Sequence, residues 1–235
     1  MSDGGAPPAA AGGEVVRSAA SGAGPSREHD AGELEVRRAG DRGFLVEVAE
    51  HGQAHALAAA ARRRFAERVE DVVPGAQTVL LRWGDPPPTL AELTAEIATL
   101  DLEAAAVDSR PPLTIPVRYD GPDLPAVAGA LGLGVDRLIE LHSQGDYLVA
   151  FMGFAPGFAY MTGSAPELHL PRRQDPRARV PGGSVAMAST YTAVYPTSAP
   201  GGWHLLGHTD IVLFDPDREP PALLDAGRRV VFEPR

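Results

Sequence analysis

The sequence predicts an α+β protein, with a small α/β domain at residues 33–110 followed by a β-rich domain at residues 111–235. In the first part, short apolar runs of strand type alternate with two helix-like segments. In the second part, one helical passage precedes many short β-like runs that Gly and Pro interrupt, which is typical of a compact barrel or sandwich. Residues 1–32 are rich in Gly, Ala, Pro and Ser without periodicity, so we predict a disordered tail there.

The first domain is predicted element by element. Residues 33–48 contain two strand-like runs around a Gly-Asp-Arg-Gly turn. A helix follows, because apolar residues recur at helical spacing at Leu57, Ala61, Phe65 and Val69. Residues 69–83 read as two strands, and residues 89–100 as a second helix with Thr89 in capping position. The Pro111-Pro112 pair predicts a linker to the next domain.

The second domain begins with "LTIPVRY" and a helical passage at residues 124–144. That passage has the glycine-turn spacing of a helix-turn-helix, but its second half carries two acidic residues against one arginine, which disfavours DNA binding. The predicted strands that follow are "GSVAMAST", "TAVYP", "WHLLGH", "DIVLFD" and "RRVVFEP".

The segment "GFAPGFAYM", residues 153–161, stands apart from these runs. Pro156 has no amide hydrogen to donate, so the segment fits neither a helix nor a central strand, and its glycines allow a tight loop. Such a loop brings Phe154, Phe158 and Tyr160 near one another. Two interpretations follow, a buried hydrophobic plug or the wall of a pocket.

Composition limits the classes of function. The net charge of −10 argues against nonspecific binding of nucleic acid or anionic membranes. No apolar run approaches the roughly 20 residues that cross a bilayer, and the first residues lack the pattern of a signal peptide, so we expect a cytoplasmic protein. Without cysteine there is no disulfide, thiolate nucleophile or zinc–thiolate site.

All 21 basic residues are arginine. The chain therefore has no P-loop lysine and no Schiff-base amine, and it must bind anions through arginine forks, backbone amides or a metal. The best anion-binding candidate is the arginine loop, Pro171 to Ser184, where four arginines face one aspartate and Gly182 and Gly183 precede Ser184. The alternative is an exposed loop that binds no ligand.

Three histidines are candidates for chemistry. His142 lies near the end of a predicted helix and is a candidate for proton transfer, with a structural histidine bonded to a carbonyl as the alternative. His204 and His208 lie four residues apart on a predicted strand, which would separate their rings by roughly 13 Å. We therefore predict no metal site at these two residues.

Six segments of the second domain occur in the order "IELHS", "GFAPGFAYM", "PRRQDPRARVPGGSV", "YTAVYP", "SAPGGWHLLGHT" and "LFDP". Together they resemble the family of 5-oxoprolinase B subunits, also described as allophanate hydrolase subunit 1. That family includes an inhibitor of a sporulation histidine kinase and is related to part of urea carboxylase. The resemblance runs from Leu113 to Phe232, and "GDRGFLVEV" upstream is similar to the family's N-terminal opening.

The resemblance implies a cyclophilin-like β-barrel as the C-terminal domain, and a subunit of a complex that opens 5-oxoproline to glutamate. It implies the C and A subunits of 5-oxoprolinase as partners and ATP with Mg²⁺ as the complex's cofactor, without showing which of the three is nucleotide-binding. A regulatory module that inhibits a histidine kinase, and a component of a related allophanate-type hydrolase, are the alternatives. We expect the isolated chain to be inactive.

Transferred residue by residue, the resemblance makes His142 the candidate proton-transfer group. It also implies a set of substrate- or anion-binding residues: Phe154, Pro156, Gly157, Phe158, Tyr160, Arg172, Arg177, Gly183, Ser184, Tyr195 and Trp203. The chain departs from the family's usual proline at Ala159, alanine at Gly182 and arginine at His208. These departures leave the identity of the substrate open.

Overall fold

The computed structural model of the protein describes residues 14–17, 33–49, 51–102 and 110–235. The chain divides into two compact units, Met1–Ala105 and Ala106–Arg235, each with its own hydrophobic core. The predicted domain limits at residues 32 and 110 stay predictions, since the neighbouring residues 18–32 and 103–109 lie outside the described residues.

The N-terminal unit is an antiparallel sheet with two helices. Its strands, in the order β1-β2-β3-β5-β4 across the sheet, are β1 (Glu14–Arg17), β2 (Glu33–Arg38), β3 (Gly43–Glu47), β4 (Val69–Pro74) and β5 (Thr78–Trp83). Strand β1 lies inside the segment predicted as a disordered tail and pairs with β2, while the rest of that segment lies outside the described residues. The helices are α1 (His51–Phe65) and α2 (Leu90–Ile97).

The predicted helix features are present in this unit. Leu57, Ala61 and Phe65 are buried on one face of α1, as their spacing indicates. The prediction is wrong for Val69, because α1 ends at Phe65 and Val69 begins β4, where it pairs with Trp83 of β5. Thr89 caps α2 by accepting a bond from the Glu92 amide, while the Glu92 carboxylate accepts one from the Thr89 amide. This reciprocal capping box satisfies two amides that have no partner within the helix.

The C-terminal unit is built on a seven-stranded sheet, ordered β13-β10-β11-β8-β7-β14-β6, with a separate two-stranded antiparallel sheet of β12 and β9. Its helices are α3 (Leu124–Ala130) and α4 (Val135–Ser143). Its strands are β6 (Leu113–Val117), β7 (Tyr147–Met152), β8 (Ala159–Thr162), β9 (Arg177–Val180), β10 (Ser184–Ala188), β11 (Tyr191–Val194), β12 (Ala199–Gly201), β13 (His204–His208) and β14 (Arg229–Pro234).

The two edges of this sheet meet. Just beyond β6, the Arg118 amide donates to the His208 carbonyl at 2.9 Å, and the His208 amide donates back at 2.8 Å, which brings β6 against β13. The result is a nearly closed barrel, and closure removes the exposed edges that an open sheet would present. The predicted fold class, a small α/β domain followed by a cyclophilin-like barrel, is confirmed.

Two sequence predictions are corrected in this unit. The helical passage at 124–144 is two helices, because Gly132 adopts a left-handed conformation at φ +67° and ends the first. The run "DIVLFD" contributes a single bridge at Phe214 and no strand. There the carbonyls of Val212 and Leu213 accept bonds from the Arg218 guanidinium, at 3.2 and 3.3 Å.

No helix within the described ranges is long and apolar enough to span a membrane.

Candidate functional site

The loop between β7 and β8 is the tight turn that its sequence predicts. The Gly153 amide donates to the Phe158 carbonyl at 3.1 Å, and the Phe158 amide donates to the Ala155 carbonyl at 3.0 Å. Gly157 has φ +77°, and a Cβ added there would lie 2.7 Å from the Cβ of Phe214, so the position requires glycine. Pro156 lies exposed within the turn.

Phe154 has an unusual conformation in this loop. Its backbone is left-handed at φ +69°, which is strained for a residue with a bulky side chain, and its ring is 60% exposed. Strain of this kind persists where the surrounding structure enforces it, and it is concentrated at binding and active sites. The loop therefore presents an aromatic ring to solvent that a core would normally bury.

Phe158 lies at the centre of a cluster of five aromatic rings. Its ring centroid is 5.1 Å from that of Phe154, 5.0 Å from Tyr160, 5.3 Å from Tyr195 and 5.8 Å from Trp203. These edge-on and tilted contacts are the favoured geometries for aromatic pairs. The convergence predicted for Phe154, Phe158 and Tyr160 is thus present, with Phe158 buried as a plug and Phe154 exposed above it.

The arginine loop meets this aromatic cluster. The Arg172 guanidinium lies over the Trp203 ring, 5.9 Å from its centroid, in cation–π geometry. Burial raises the pKa of the Tyr195 phenol, while the charges of Arg172 and Arg177 act in the opposite direction. Arginine and aromatic side chains therefore adjoin one another, with Phe154 and Arg172 exposed above the buried Phe158, Tyr195 and Trp203. We call this region the aromatic–arginine surface.

Asp123 anchors the arginine loop, and no pattern in the sequence identifies it. It lies at the start of α3 with a side chain 7% exposed. Its carboxylate accepts two bonds from Arg177, at 2.7 and 2.9 Å, one from Arg173 at 3.0 Å and one from the Leu205 amide at 2.8 Å. Burial raises the pKa of Asp123, but these bonds and charges outweigh it and lower the pKa below its ordinary value.

Arg177 is predicted to bind an anionic ligand. In the structure its guanidinium group donates two hydrogen bonds to the Asp123 carboxylate. Gly183 and Ser184 are predicted to offer backbone amides, but the Gly183 amide donates to the Tyr195 carbonyl at 2.8 Å. The Ser184 amide is 3.4 Å from the Pro181 carbonyl, and its side chain is buried in β10. Ligand contacts by these three residues stay predictions. Their observed hydrogen bonds are to other parts of the protein and hold the arginine loop in place.

A cavity of about 320 Å³ separates the arginine loop from α3. Its walls are apolar on the helix side and polar on the loop side: Asp123, Ala126, Val127, Ala130, Leu170, Pro171, Arg172, Arg173, Gln174 and His204. Its volume is at the lower end of the range for small-molecule sites. Arg172 and Arg173 therefore border open space on the α3 side, and Arg172 also contacts the aromatic cluster.

His142 does not join the aromatic–arginine surface. Its side chain is completely buried, with Nδ1 2.8 Å from the Tyr119 hydroxyl and Nε2 3.4 Å from the Thr192 hydroxyl. The Tyr147 hydroxyl donates to its carbonyl at 3.0 Å, and the Phe232 ring packs 4.9 Å from the imidazole. Proton transfer by His142 stays a prediction, and this enclosed position favours a structural histidine.

The buried imidazole predicts how stability depends on pH. Burial lowers the pKa of His142 from 6.5 to about 3, so between these values the unfolded chain binds a proton that the folded chain does not. Stability is complete above pH 6.5 and falls as the pH decreases toward 3. From pH 7 to pH 5 we expect His142 to cost roughly 2 kcal/mol of unfolding free energy.

Urea unfolding at pH 7 and pH 5, followed by Trp203 fluorescence in a Trp83→Phe background, measures this loss. His142→Gln should be less stable at pH 7 but lose less stability on acidification. The exposed His169→Gln serves as control and should follow the parent profile. If the parent protein, His142→Gln and His169→Gln lost the same unfolding free energy between pH 7 and pH 5, the lowered pKa of His142 would be contradicted.

The two histidines of β13 make separate contacts. His204 Nε2 is 2.9 Å from the Pro171 carbonyl, and His208 Nε2 is 3.1 Å from Asp210. Within the described ranges, no three His, Asp or Glu side chains assemble in a way that could hold a metal ion.

The donors of the aromatic–arginine surface do not suit ATP. A triphosphate needs several cations or free amides, but Arg173 and Arg177 are engaged by Asp123, and the Gly183 amide is bonded to Tyr195. Because the surface does not fit a triphosphate, no step of the chemistry is assigned to ATP on this chain.

The family model for the carboxyltransferase domain, subdomain C and D, matches residues 34–224. The chain belongs to this family. It is 51% identical over 127 residues to the 5-oxoprolinase B subunit of Escherichia coli O157:H7, covering 52% of this chain and 58% of that protein. It is 46% identical over 121 residues to the 5-oxoprolinase B subunit of Bacillus subtilis (strain 168), covering 50% of each. These relatives confirm the predicted family resemblance, and the chain spans only about half of their length.

Solved structures agree with this family fold. The crystal structure of TTHA0988 superposes with a TM-score of 0.71 at 37% identity, covering 83% of this chain and 40% of that one. A conserved uncharacterized protein from Pyrococcus horikoshii, PH0987, superposes at 0.52 with 32% identity, covering 85% and 97%. The Kluyveromyces lactis urea carboxylase shares the fold at 16% identity, with a TM-score of 0.62 over 88% of this chain and 22% of that one.

Proposed function

We propose that this carboxyltransferase-family chain is the B subunit of an ATP-dependent 5-oxoprolinase complex that converts 5-oxoproline to glutamate. The observation that carries the proposal is the Arg172 guanidinium over Trp203, beside the aromatic cluster. The likeness to proteins named as 5-oxoprolinase B subunits supports it. The C and A subunits are the proposed partners, and ATP with Mg²⁺ is bound elsewhere in the complex.

5-Oxoproline has two chemical parts that match the two parts of the surface. Its ring carboxylate is a planar anion, which an arginine fork binds with two parallel hydrogen bonds. Its small ring has apolar carbons, which pack against an aromatic face such as that of the exposed Phe154. In this arrangement Arg172 holds the carboxylate while the aromatic side chains orient the lactam ring.

This chain's part in the reaction is substrate binding and orientation. Holding a substrate in a fixed orientation lowers the entropic cost of reaching the transition state. The ring opens when water adds to the lactam carbonyl carbon and the carbon–nitrogen bond breaks, leaving the amine and second carboxylate of glutamate. His142 is not assigned substrate contact, because its ring is completely buried.

Co-expression with candidate C and A subunits, followed by an assay of glutamate release from 5-oxoproline, tests the proposal. We expect release that depends on ATP and on all three proteins, and none from the isolated chain, since its described site offers few groups for catalysis. A well-folded three-part complex without activity would contradict the function. Hydrolysis by the single purified chain would contradict the need for partners.

The departures at Ala159, Gly182 and His208 motivate a second substrate in the same assay. Allophanate, a carboxylated urea, shares the planar carboxylate and the amide bond but has no apolar ring. Turnover of allophanate in preference to 5-oxoproline would assign the chain to a related amide hydrolase instead.

A second candidate function is a regulatory module that inhibits a histidine kinase. The exposed Phe154 ring on a strained loop favours it, since an exposed aromatic side chain can anchor a protein interface. Inhibition of kinase autophosphorylation by the chain, with loss of inhibition in Phe154→Ala, would support this function. A genomically neighbouring kinase would provide the first partner to assay.

A further inference from the structure

The four arginines of the arginine loop have different partners. Arg173 and Arg177 donate to Asp123, and the Arg179 Nε donates to the Ser198 hydroxyl at 3.0 Å. Arg172 has Trp203 as its contact and, among the described residues, no carboxylate partner. Asp123 therefore determines which guanidinium groups the loop leaves available to a ligand.

We propose that Asp123 is a specificity-determining residue, which restricts the aromatic–arginine surface to ligands with a single carboxylate by engaging Arg173 and Arg177. The inference rests on the proposed function, since it assumes that the Arg172 side of the surface binds a carboxylate. It goes beyond that function because it names the side chain that excludes dicarboxylates.

The geometry supports selection rather than simple anchoring. Both oxygens of Asp123 accept two bonds each, so the carboxylate has little remaining capacity and holds the Arg177 fork in a bidentate pair. Asp123, Arg172 and Arg173 line the same cavity, so the engaged pair and the available guanidinium border one space. Once released from Asp123, the guanidinium groups of Arg173 and Arg177 would be free to pair with a second carboxylate.

The test compares two ligands, 5-oxoproline with one carboxylate and glutarate with two, by isothermal titration calorimetry on the full-length chain. The wild-type protein should bind 5-oxoproline more tightly than glutarate. In Asp123→Asn the ratio of the two affinities should shift about tenfold toward glutarate, the value expected for one charge-assisted pair. Asp120→Asn is the matched control, since Asp120 is exposed and lies 3.9 Å from Arg118, and its ratio should equal that of the wild type.

A second variant separates selection from folding. The triple variant Asp123→Asn/Arg173→Gln/Arg177→Gln also lacks the ion pairs but carries no released guanidinium at either position, so its ratio should return toward the wild-type value. In Arg177→Gln alone, the Asp123 carboxylate keeps more of its negative charge and repels a second carboxylate. The affinity of this variant for glutarate relative to 5-oxoproline should therefore fall. This second expectation applies even where Asp123→Asn fails to fold.

The outcomes distinguish the two levels of inference. Wild-type protein that binds neither acid overturns the carboxylate site itself, and the role of Asp123 with it. Wild-type protein that binds 5-oxoproline, with an unchanged ratio in Asp123→Asn or in Arg177→Gln, overturns only the selection by Asp123. A shift toward glutarate that persists undiminished in the triple variant shows loosening of the loop and also overturns it.

Discussion

Phe158→Ala is expected to lower the free energy of unfolding of the barrel unit by about 3–5 kcal/mol. Phe158 is 2% exposed and packs against four other aromatic rings, so its removal leaves a cavity that rigid neighbouring rings cannot fill. Urea unfolding at neutral pH in the Trp83→Phe background, followed by Trp203 fluorescence, measures the loss, since Trp203 is itself one of these neighbours.

Phe154→Ala is the matched control for this prediction. Both residues are phenylalanines of the same loop, but the Phe154 ring is 60% exposed and its burial contributes little. We expect this control to lose less than about 1 kcal/mol. Equal losses in the two variants would show that the cluster is not centred on Phe158.

Arg172→Ala is expected to reduce kcat/KM for 5-oxoproline by roughly ten- to a hundredfold in the assembled complex, with little change in melting temperature. Loss of a charge-assisted bond costs about 1.5–3 kcal/mol where it is felt in the transition state. Because Arg172 is exposed, its removal should not disturb the core. Arg172→Lys keeps the charge but loses the planar fork, so it should also reduce kcat/KM.

Arg179→Ala is the control for this experiment. Arg179 lies in the same loop and carries the same charge, but its guanidinium bonds to Ser198 rather than lying over Trp203. Its turnover should match that of the wild type. Normal kcat/KM in Arg172→Ala would remove Arg172 from the site, and equal losses in both variants would indicate a general charge effect of the loop.

Local patterns in the sequence predicted a large part of the fold and some of the site. The apolar face of α1 and the capping position of Thr89 in α2 follow from the spacing of a few residues in one helix. The tight turn around Pro156 follows from the loss of a backbone donor and from flanking glycines. These features depend on contacts within a few residues, and such contacts can be read directly from the order of residues.

Contacts between distant segments could not be predicted in this way. Asp123 pairs with Arg173 and Arg177, which lie 50 and 54 positions further along the chain. Nothing in the spacing distinguishes Asp123 from the other acidic residues of the sequence. The predicted ligand role of Arg177 assumed that its guanidinium group has no partner within the protein. The fold brings Asp123 into contact with that group, and the spacing of residues does not show this contact.

The sequence by itself determined that this protein has an α/β part and a β-rich part, and that aromatic and arginine side chains concentrate in two loops of the latter. Only the tertiary structure decided which of these groups face solvent. His142 lies in a buried aromatic environment, and the Asp123 carboxylate engages two of the loop's four arginines, while Arg172 lies over Trp203. The physical reason is that burial and pairing set the charge, the pKa and the accessibility of a side chain, and both arise from segments that only the closed barrel brings together.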